Sequence, residues 1–243
     1  MTNRQRIDRL LVERGLFDSR AKAQAAIEAG LVIADDAVVR KAAEEIPMDA
    51  RLSATPAHPF VSRGGVKLAS ALDHFGLVPR DRVCLDVGAS TGGFTQVLLE
   101  RGAKRIYAID VGRGQLHESL RGNAAVVSLE QTDIRKLSPA LLNDPPDFVT
   151  MDVSFISLKL ALPPALALVK MPAHLIALIK PQFEAGPAHL KKGIVRDAAV
   201  RTLVCAEISA FVTSFGWRVV GVISSPISGG DGNAEFLLGA SHD

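Results

Sequence analysis

Apolar and polar positions follow two rhythms along this chain, and the change between them falls near residue 60. Before it, Ile7, Leu10, Leu11 and Leu16 recur at helical spacing. Residues 21–29 repeat that period and stop at Gly30, with Asp18 or Ser19 placed to cap the helix. Short apolar runs at 31–33 and 38–39 flank Asp35-Asp36 and predict two strands around a turn. The stretch 51–60, Arg-Leu-Ser-Ala-Thr-Pro-Ala-His-Pro-Phe, holds two prolines and no sustained period. It predicts an extended linker between one domain over 1–50 and another over 61–243.

Beyond the linker, apolar runs at 83–87, 104–109, 124–129, 148–151, 174–179, 217–223 and 234–238 read as strands. Helical patterns lie between them: one after Gly64-Gly65 whose Leu68, Leu72 and Phe75 face inward, then 91–101, a proline-bearing 158–170, and 198–215. Strands alternating with helices predict an α/β domain. Glycines at 88, 92 and 93 separate the first strand from its helix. They let the backbone approach a ligand closely, at the carboxyl end of a strand where such folds bind one.

Gly88-Ala89-Ser90-Thr91-Gly92-Gly93-Phe94 matches neither a Gly-x-Gly-x-x-Gly dinucleotide fingerprint nor a phosphate-gripping Gly-Lys-Ser/Thr loop. Asp86, two residues before the first glycine, suits a cofactor with a cationic amino-acid head, S-adenosyl-L-methionine. Asp110, just past the second strand and beside Val111, stands where a ribose diol is accepted in nucleoside-binding α/β folds. Asp133, next to Ile134 beyond the third strand, is a candidate for the adenine end.

Composition narrows the class without naming it. The 243 residues are 48% hydrophobic and 22% charged, an ordinary globular balance, and the formal net charge of +2 says nothing about partners. Two cysteines, both within apolar patterns, argue against a disulfide framework and for a reducing cytoplasm. The six histidines show no metal-ligand spacing, so no metal is expected. The most apolar region is broken by Pro163, Pro164, Lys170 and Pro172, so no membrane span is expected either.

Charge is unevenly placed. Arg4, Arg6, Arg9, Arg14, Arg20 and Lys22 crowd the first helices, whereas acids dominate from 35 to 49. A basic helical face on a small module points to contact with a phosphate backbone. Lys191 and Lys192 stand in a glycine- and proline-containing stretch, 184–195, that reads as a mobile basic loop facing a polyanion.

Polar residues stand where the large domain's strands end. Asp152 follows the fourth strand, Lys180 the fifth, and Glu235 lies within the apolar last one. Lys67 sits near a helix start, the end at which a cation is least welcome. These four can converge over the carboxyl edge as two ammonium groups and two carboxylates. A lysine kept dry beside a second lysine can accept the proton of a ribose hydroxyl while the carboxylates orient the amines. There is no Gly-x-Ser-x-Gly elbow for hydrolysis and no Asn/Asp-Pro-Pro-Tyr segment of the sort linked with base amines, so oxygen is the expected target.

Several segments together carry a family resemblance: Val61-Ser-Arg-Gly-Gly-Val-Lys-Leu, Asp86-Val-Gly-Ala-Ser-Thr-Gly-Gly-Phe-Thr, Ala108-Ile-Asp-Val-Gly, Asp152-Val-Ser-Phe-Ile-Ser-Leu, Leu178-Ile-Lys-Pro-Gln-Phe-Glu-Ala-Gly and Gly232-Asn-Ala-Glu-Phe-Leu-Leu. From about residue 4 to 238 the chain resembles the TlyA, or hemolysin A-like, family of ribosomal RNA 2'-O-methyltransferases. Its first domain is similar to the S4 RNA-binding domain and its second to the FtsJ or RrmJ type.

The resemblance implies a Rossmann-like methyltransferase sheet, mostly parallel with the last strand antiparallel, behind a small α+β RNA-binding domain. It implies S-adenosyl-L-methionine as cofactor, held by the 86–94 loop, Asp110, Val111, Asp133, Ile134 and Asp152. It also implies a catalytic tetrad of Lys67, Asp152, Lys180 and Glu235, with Lys180 as base. RNA contacts are expected from Arg6, Arg9, Arg20, Lys22, Arg63, Lys191 and Lys192, and the partner is ribosomal RNA or assembled ribosomal subunits, modified at cytidine. Gln131-Thr-Asp-Ile-Arg135 and Ser228-Gly-Gly-Asp231 depart from the family's usual segments. The alternative is a noncatalytic ribosome-binding or assembly factor, which would not need all four polar residues. A pore-forming role has no support, because no amphipathic or apolar segment is long enough.

Overall fold

The computed structural model describes residues 3–229 and 232–243 and divides into two compact units, one ending at Ser62 and the other running Arg63–Asp243. Gly230 and Asp231, part of the departing loop before Glu235, lie outside the described residues.

The first unit contains β1 (Arg4–Arg6), α1 (Ile7–Glu13), α2 (Arg20–Glu28), β2 (Val32–Ala34), β3 (Ala37–Val38), β4 (Glu45–Pro47) and β5 (Leu52–Ala54). Ile7, Leu10 and Leu11 of α1 close a core with Ala23, Ala26 and Ile27 of α2 and Val32 of β2. Ser19 caps α2 by accepting from the Lys22 amide. Asp35 and Asp36 both adopt positive φ, 45° and 68°, the left-handed conformation that acidic turn residues tolerate. Their carboxylates are tied to Arg51, through its amide at 2.9 Å and its guanidinium at 2.7 Å.

Two expectations change here. Arg4–Arg6, grouped with the helical block, is a strand paired with β4. The linker expected over 51–60 does not begin until after Ala54, because Leu52–Ala54 pairs antiparallel with β2. Leu52 and Ala54 are half-buried on either side of exposed Ser53, an alternation too short to register as a period.

The second unit begins with α3 (Gly64–Phe75), β6 (Val83–Val87), α4 (Gly93–Glu100), β7 (Arg105–Ile109), α5 (Glu118–Arg121), β8 (Val126–Leu129) and β9 (Phe148–Met151). It continues with α6 (Leu158–Leu166), β10 (Ala173–Ile179), α7 (Pro181–Glu184), α8 (Ala198–Ser214), β11 (Arg218–Ser224) and β12 (Phe236–His242). One seven-stranded sheet runs in the order β11-β12-β10-β9-β6-β7-β8. β12 is antiparallel to both neighbours, while β10, β9, β6, β7 and β8 are parallel.

Both faces of the sheet are covered. Val83, Leu85 and Val87 of β6, with Leu175, Ala177 and Ile179 of β10, pack beneath α6 and α8. The alternate residues of these strands, Cys84 and Ile176 among them, are buried on the opposite side, where α3 and α4 pack. α6 stops at Leu166 rather than 170, its chain tightening there into i→i+3 bonds from the Leu168 and Val169 amides to the Ala165 and Leu166 carbonyls. The strands' carboxyl ends therefore meet at one edge, and the polar residues of the sequence stand there.

Candidate active site

Lys67 occupies the second turn of α3 and is buried, its Nζ 2.5 Å from Glu235 Oε2. A buried cation near a helix N-terminus is opposed by the helix dipole, and this carboxylate supplies the compensation. Glu235 was expected inside the last strand; it lies one residue before β12, which begins at Phe236. The chain folds back upon itself there: Ser225 donates its amide to the Glu235 carbonyl and Gly229 donates to that of Asn233. A side-chain carbon at Gly229 would fall 2.0 Å from Glu235 Oε1, so only glycine leaves room for the carboxylate.

Lys180 directly follows β10, with Pro181 starting α7 after it. Its Nζ is 2.8 Å from Ser154 Oγ and 2.6 Å from Asp152 Oδ1. Asp152 Oδ1 is off the line of an aligned hydrogen bond, so charge attraction rather than a directed bond holds that pair. The four residues thus gather as two ion pairs, Lys67 with Glu235 and Lys180 with Asp152.

Two cavities open at this edge. The larger, about 440 Å³, is lined by Gly88, Ser90, Asp110, Val111, Asp133, Ile134 and Asp152 among others. The smaller, about 360 Å³, is lined by Lys180, Gln182, Phe183, Leu190, Asn233 and Glu235. Ser154 and Phe155 line both. Gly88 has φ of 84°, and a side chain there would drive into the Asp152 carbonyl at 2.3 Å, so the glycine holds the loop against the neighbouring strand end. Asp110 accepts from the amides of Ser90, at 2.8 Å, and Gly112, at 2.7 Å, which fixes its carboxylate at the cavity wall.

Six of the expected cofactor residues do not line the larger cavity: Asp86, Ala89, Thr91, Gly92, Gly93 and Phe94. Asp86 lies apart from that wall. Its side chain leaves β6 on the face covered by α4, fully buried, and accepts from Thr95 Oγ1 at 2.6 Å and Thr150 Oγ1 at 2.9 Å. Phe94 is buried in α4, and Gly92 and Gly93 start that helix. Asp133 reaches the cavity, but Arg135 holds its carboxylate through its side chain and amide, depressing its pKa to about 2. Gln115, Thr132 and Arg135 line the same cavity without having been singled out in the sequence. So do Ser154 and Phe155; Phe155 is 92% exposed with φ of 62°. Two signals mark that pair: its position directly after a strand end, and its place in the Asp152-Val-Ser-Phe-Ile-Ser-Leu segment.

Burial pushes Asp86 up to about 7, against the two threonine hydroxyls, which favour the charged form. A carboxyl whose folded pKa exceeds its unfolded value holds its proton more tightly when folded, so stability declines as pH rises from the ordinary carboxylate range to about 7. Asp86→Asn keeps a polar partner for both threonines and should flatten that decline. Urea unfolding measured across that window checks it; parallel curves for the two proteins would refute the assignment.

In the first unit the basic face is less free than its composition implied. Asp8 is fully buried and accepts from Arg6 Nε and Nη2 at 3.1 and 3.0 Å, Arg20 Nη2 at 2.7 Å and Gln24 at 2.9 Å. Burial would raise its pKa, but these donors outweigh it and hold Asp8 well below the usual carboxylate range. Lys22 pairs with Asp18 at 2.8 Å. Arg9 is exposed. In the second unit Arg63, Lys191 and Lys192 are exposed. The stretch expected as a mobile basic loop folds into a short 3-10 turn and a Lys191–Ile194 bridge, and Asn233 Nδ2 donates to the Gly193 carbonyl at 3.2 Å. Among the described residues no cluster of three metal-ligating side chains occurs, and no helix is long and apolar enough to cross a membrane.

A seven-stranded sheet with β12 reversed, carrying two adjoining cavities at its carboxyl edge, defines an α/β group-transfer domain of the methyltransferase class. The chain belongs to the FtsJ-like methyltransferase family, whose model matches residues 60–242, and residues 5–52 match the S4 domain. It is 45% identical to the provisionally named rRNA methyltransferase YqxC of Bacillus subtilis, over 98% of this chain and 85% of that protein. It is 41% identical to the 16S/23S rRNA (cytidine-2'-O)-methyltransferase TlyA of Mycobacterium tuberculosis, over 98% of this chain and 90% of that one. A solved structure of a provisionally named hemolysin from Streptococcus thermophilus superimposes with a TM-score of 0.79 at 40% identity, covering 100% of this chain and 90% of that chain.

Proposed function

We propose that this protein methylates the ribose 2'-hydroxyl of a cytidine in 16S or 23S ribosomal RNA, using S-adenosyl-L-methionine. The observation that carries this reading is the pair of cavities sharing Ser154 and Phe155, with Asp110 in one and Lys180 and Glu235 in the other. Such a layout suits two reactants aligned across a shared wall, and alignment is most of what a methyl transfer needs. The relatives named as rRNA and cytidine-2'-O-methyltransferases support the substrate class.

The larger cavity fits the cofactor through a carboxylate fixed by two amides for a ribose diol, beside a loop that Gly88 lets lie directly against the Asp152 carbonyl. When bound, the cofactor supplies an electrophilic methyl group on a sulfonium. Gly88, Ser90, Asp110 and Val111 would hold it, with Asp133, Ile134 and Asp152 at the same wall. Lys180, once its ammonium has released a proton to solvent, takes the proton of the 2'-hydroxyl on its neutral Nζ; Asp152 and Ser154 orient that nitrogen, and the Lys67–Glu235 pair fixes the far side of the ribose site. Such a substrate puts the protein in the cytoplasm, on ribosomal subunits or their RNA.

The deciding experiment transfers labelled methyl from S-adenosyl-L-methionine to unmodified ribosomal subunits, then places the label by nuclease digestion and mass analysis. Label on ribose is the expected result; label on a base atom would sink the reading, and no transfer would favour a noncatalytic assembly factor. Asp110→Ala should weaken cofactor binding roughly 10-fold or more in calorimetric titration, because a pair of diol hydrogen bonds is lost without loss of core volume. Unchanged affinity, or tighter binding of NAD, would show the ribose site misplaced.

RNA docking is assigned to the first unit. Since Asp8 engages Arg6 and Arg20, replacing either would leave a buried carboxylate short of partners, and Arg9 offers the cleaner probe. Arg9→Gln should weaken RNA binding at every salt concentration and lower the salt slope by about 1, with cofactor affinity unchanged. An unaltered slope would remove Arg9 from the docking face.

A further inference from the structure

The smaller cavity holds one polar group that the proposed chemistry does not use. Its other polar side chains are committed: Lys180 to Asp152 and Ser154, Glu235 to Lys67, and Asn233 to the Gly193 carbonyl. Gln182, two residues after Lys180 in the first turn of α7, lines the same cavity. Its side chain is half-buried at that wall; its Oε1, closed to water as the side chain stands, has no hydrogen-bond donor among the described residues, and rotation about its terminal torsion turns it to the cavity. A sealed amide oxygen without a donor is costly, and a methionine or leucine of similar volume would fill the position without that cost. An acceptor kept there is matched to a donor that arrives with a bound molecule.

From this we infer that Gln182 is a specificity-determining residue whose Oε1 accepts a hydrogen bond from the exocyclic amine of the target base. The inference rests on the function proposed above and deepens it. A nucleoside whose 2'-hydroxyl lies at Lys180 Nζ carries its base within the same cavity, because ribose and base are joined and Lys180 and Gln182 share its wall. Phe183 and Leu190 give that cavity apolar surface, which suits a base, and the two ionisable groups that line it, Lys180 and Glu235, are already partnered. Cytosine offers an amine donor beside a ring-nitrogen acceptor, and a primary amide offers the complementary acceptor and donor. Sites built to hydrogen-bond a substrate group reject analogues lacking it strongly, since the buried partner is left unpaired.

The test is a two-by-two comparison of enzyme and RNA. The ribosomal RNA in which the methyl has been mapped is prepared with cytidine at the target position, or with pyrimidin-2-one riboside, which keeps the ring nitrogen and lacks the amine. Wild-type protein should lose about 10–100-fold in kcat/KM on the amine-free RNA. Gln182→Met should lose a similar factor on cytidine RNA, with unchanged cofactor affinity and a melting temperature no lower than that of wild type, and should lose little more when the amine is also removed. Gln182→Glu, which keeps the acceptor, should retain more cytidine activity than Gln182→Met. Equal losses from amine removal in wild type and Gln182→Met would overturn the inference while leaving ribose methylation intact. Wild-type label on a base atom, or no label at all, would overturn the proposed function and this inference with it.

Discussion

Lys180→Ala is expected to abolish methyl transfer, by roughly 10³-fold or more, while S-adenosyl-L-methionine still binds. Lys180 Nζ is the nitrogen that lines the smaller cavity and is held on its other side by Asp152 and Ser154. Removing it takes away the proton acceptor and disturbs the glycine loop and Asp110 wall little. Lys180→Arg is expected to fail as completely, because a guanidinium does not give up its proton and so cannot act as a base. Single-turnover transfer of labelled methyl, with cofactor affinity measured in parallel, separates chemistry from binding. Substantial activity in Lys180→Arg would show that positive charge, not proton acceptance, is what the position supplies.

Glu235→Gln is expected to cost about 3–5 kcal/mol of folding stability, since it leaves the Lys67 ammonium buried with no countercharge. Lys67 and Glu235 are 8% and 4% exposed, so water offers little relief. The double variant Lys67→Met, Glu235→Leu should recover most of that stability, because removing both charges together leaves nothing unpaired. It should nevertheless stay inactive, since the pair is proposed to fix the ribose site. Urea unfolding and methyl transfer measured on the same three proteins decide the matter. Full activity in the double variant would make the pair structural, and wild-type stability in Glu235→Gln would show that the ion pair does not form.

Much of this is legible in the amino-acid order, for a definite physical reason. A helix that packs on a sheet must repeat its apolar residues near every third or fourth position, and a buried strand must be a short apolar run. Val83–Val87 and Phe148–Met151 were read with the boundaries the structure has. The ends of such runs are where a chain leaves a sheet, so Asp110, Asp152 and Lys180 could be placed at its carboxyl edge from order alone. Glu235 was read within its strand because Phe236, Leu237 and Leu238 directly after it are apolar, and nothing local marks where pairing with β10 begins.

Local order says nothing about which distant side chains meet. Lys67 and Glu235 are 168 residues apart, and only the packing of α3 on β11 and β12 brings them to 2.5 Å. Asp86 could not be assigned a direction from its strand, because both faces of β6 are buried and the run carries no polar alternation to say which face it takes. Tertiary structure turned it toward Thr95 and Thr150, away from the larger cavity. Likewise the basic residues of the first helices were countable in the sequence, but their availability was not, since long side chains go to whichever carboxylate the helix crossing presents. Asp8 is the residue that the packing of α1 against α2 set between Arg6 and Arg20.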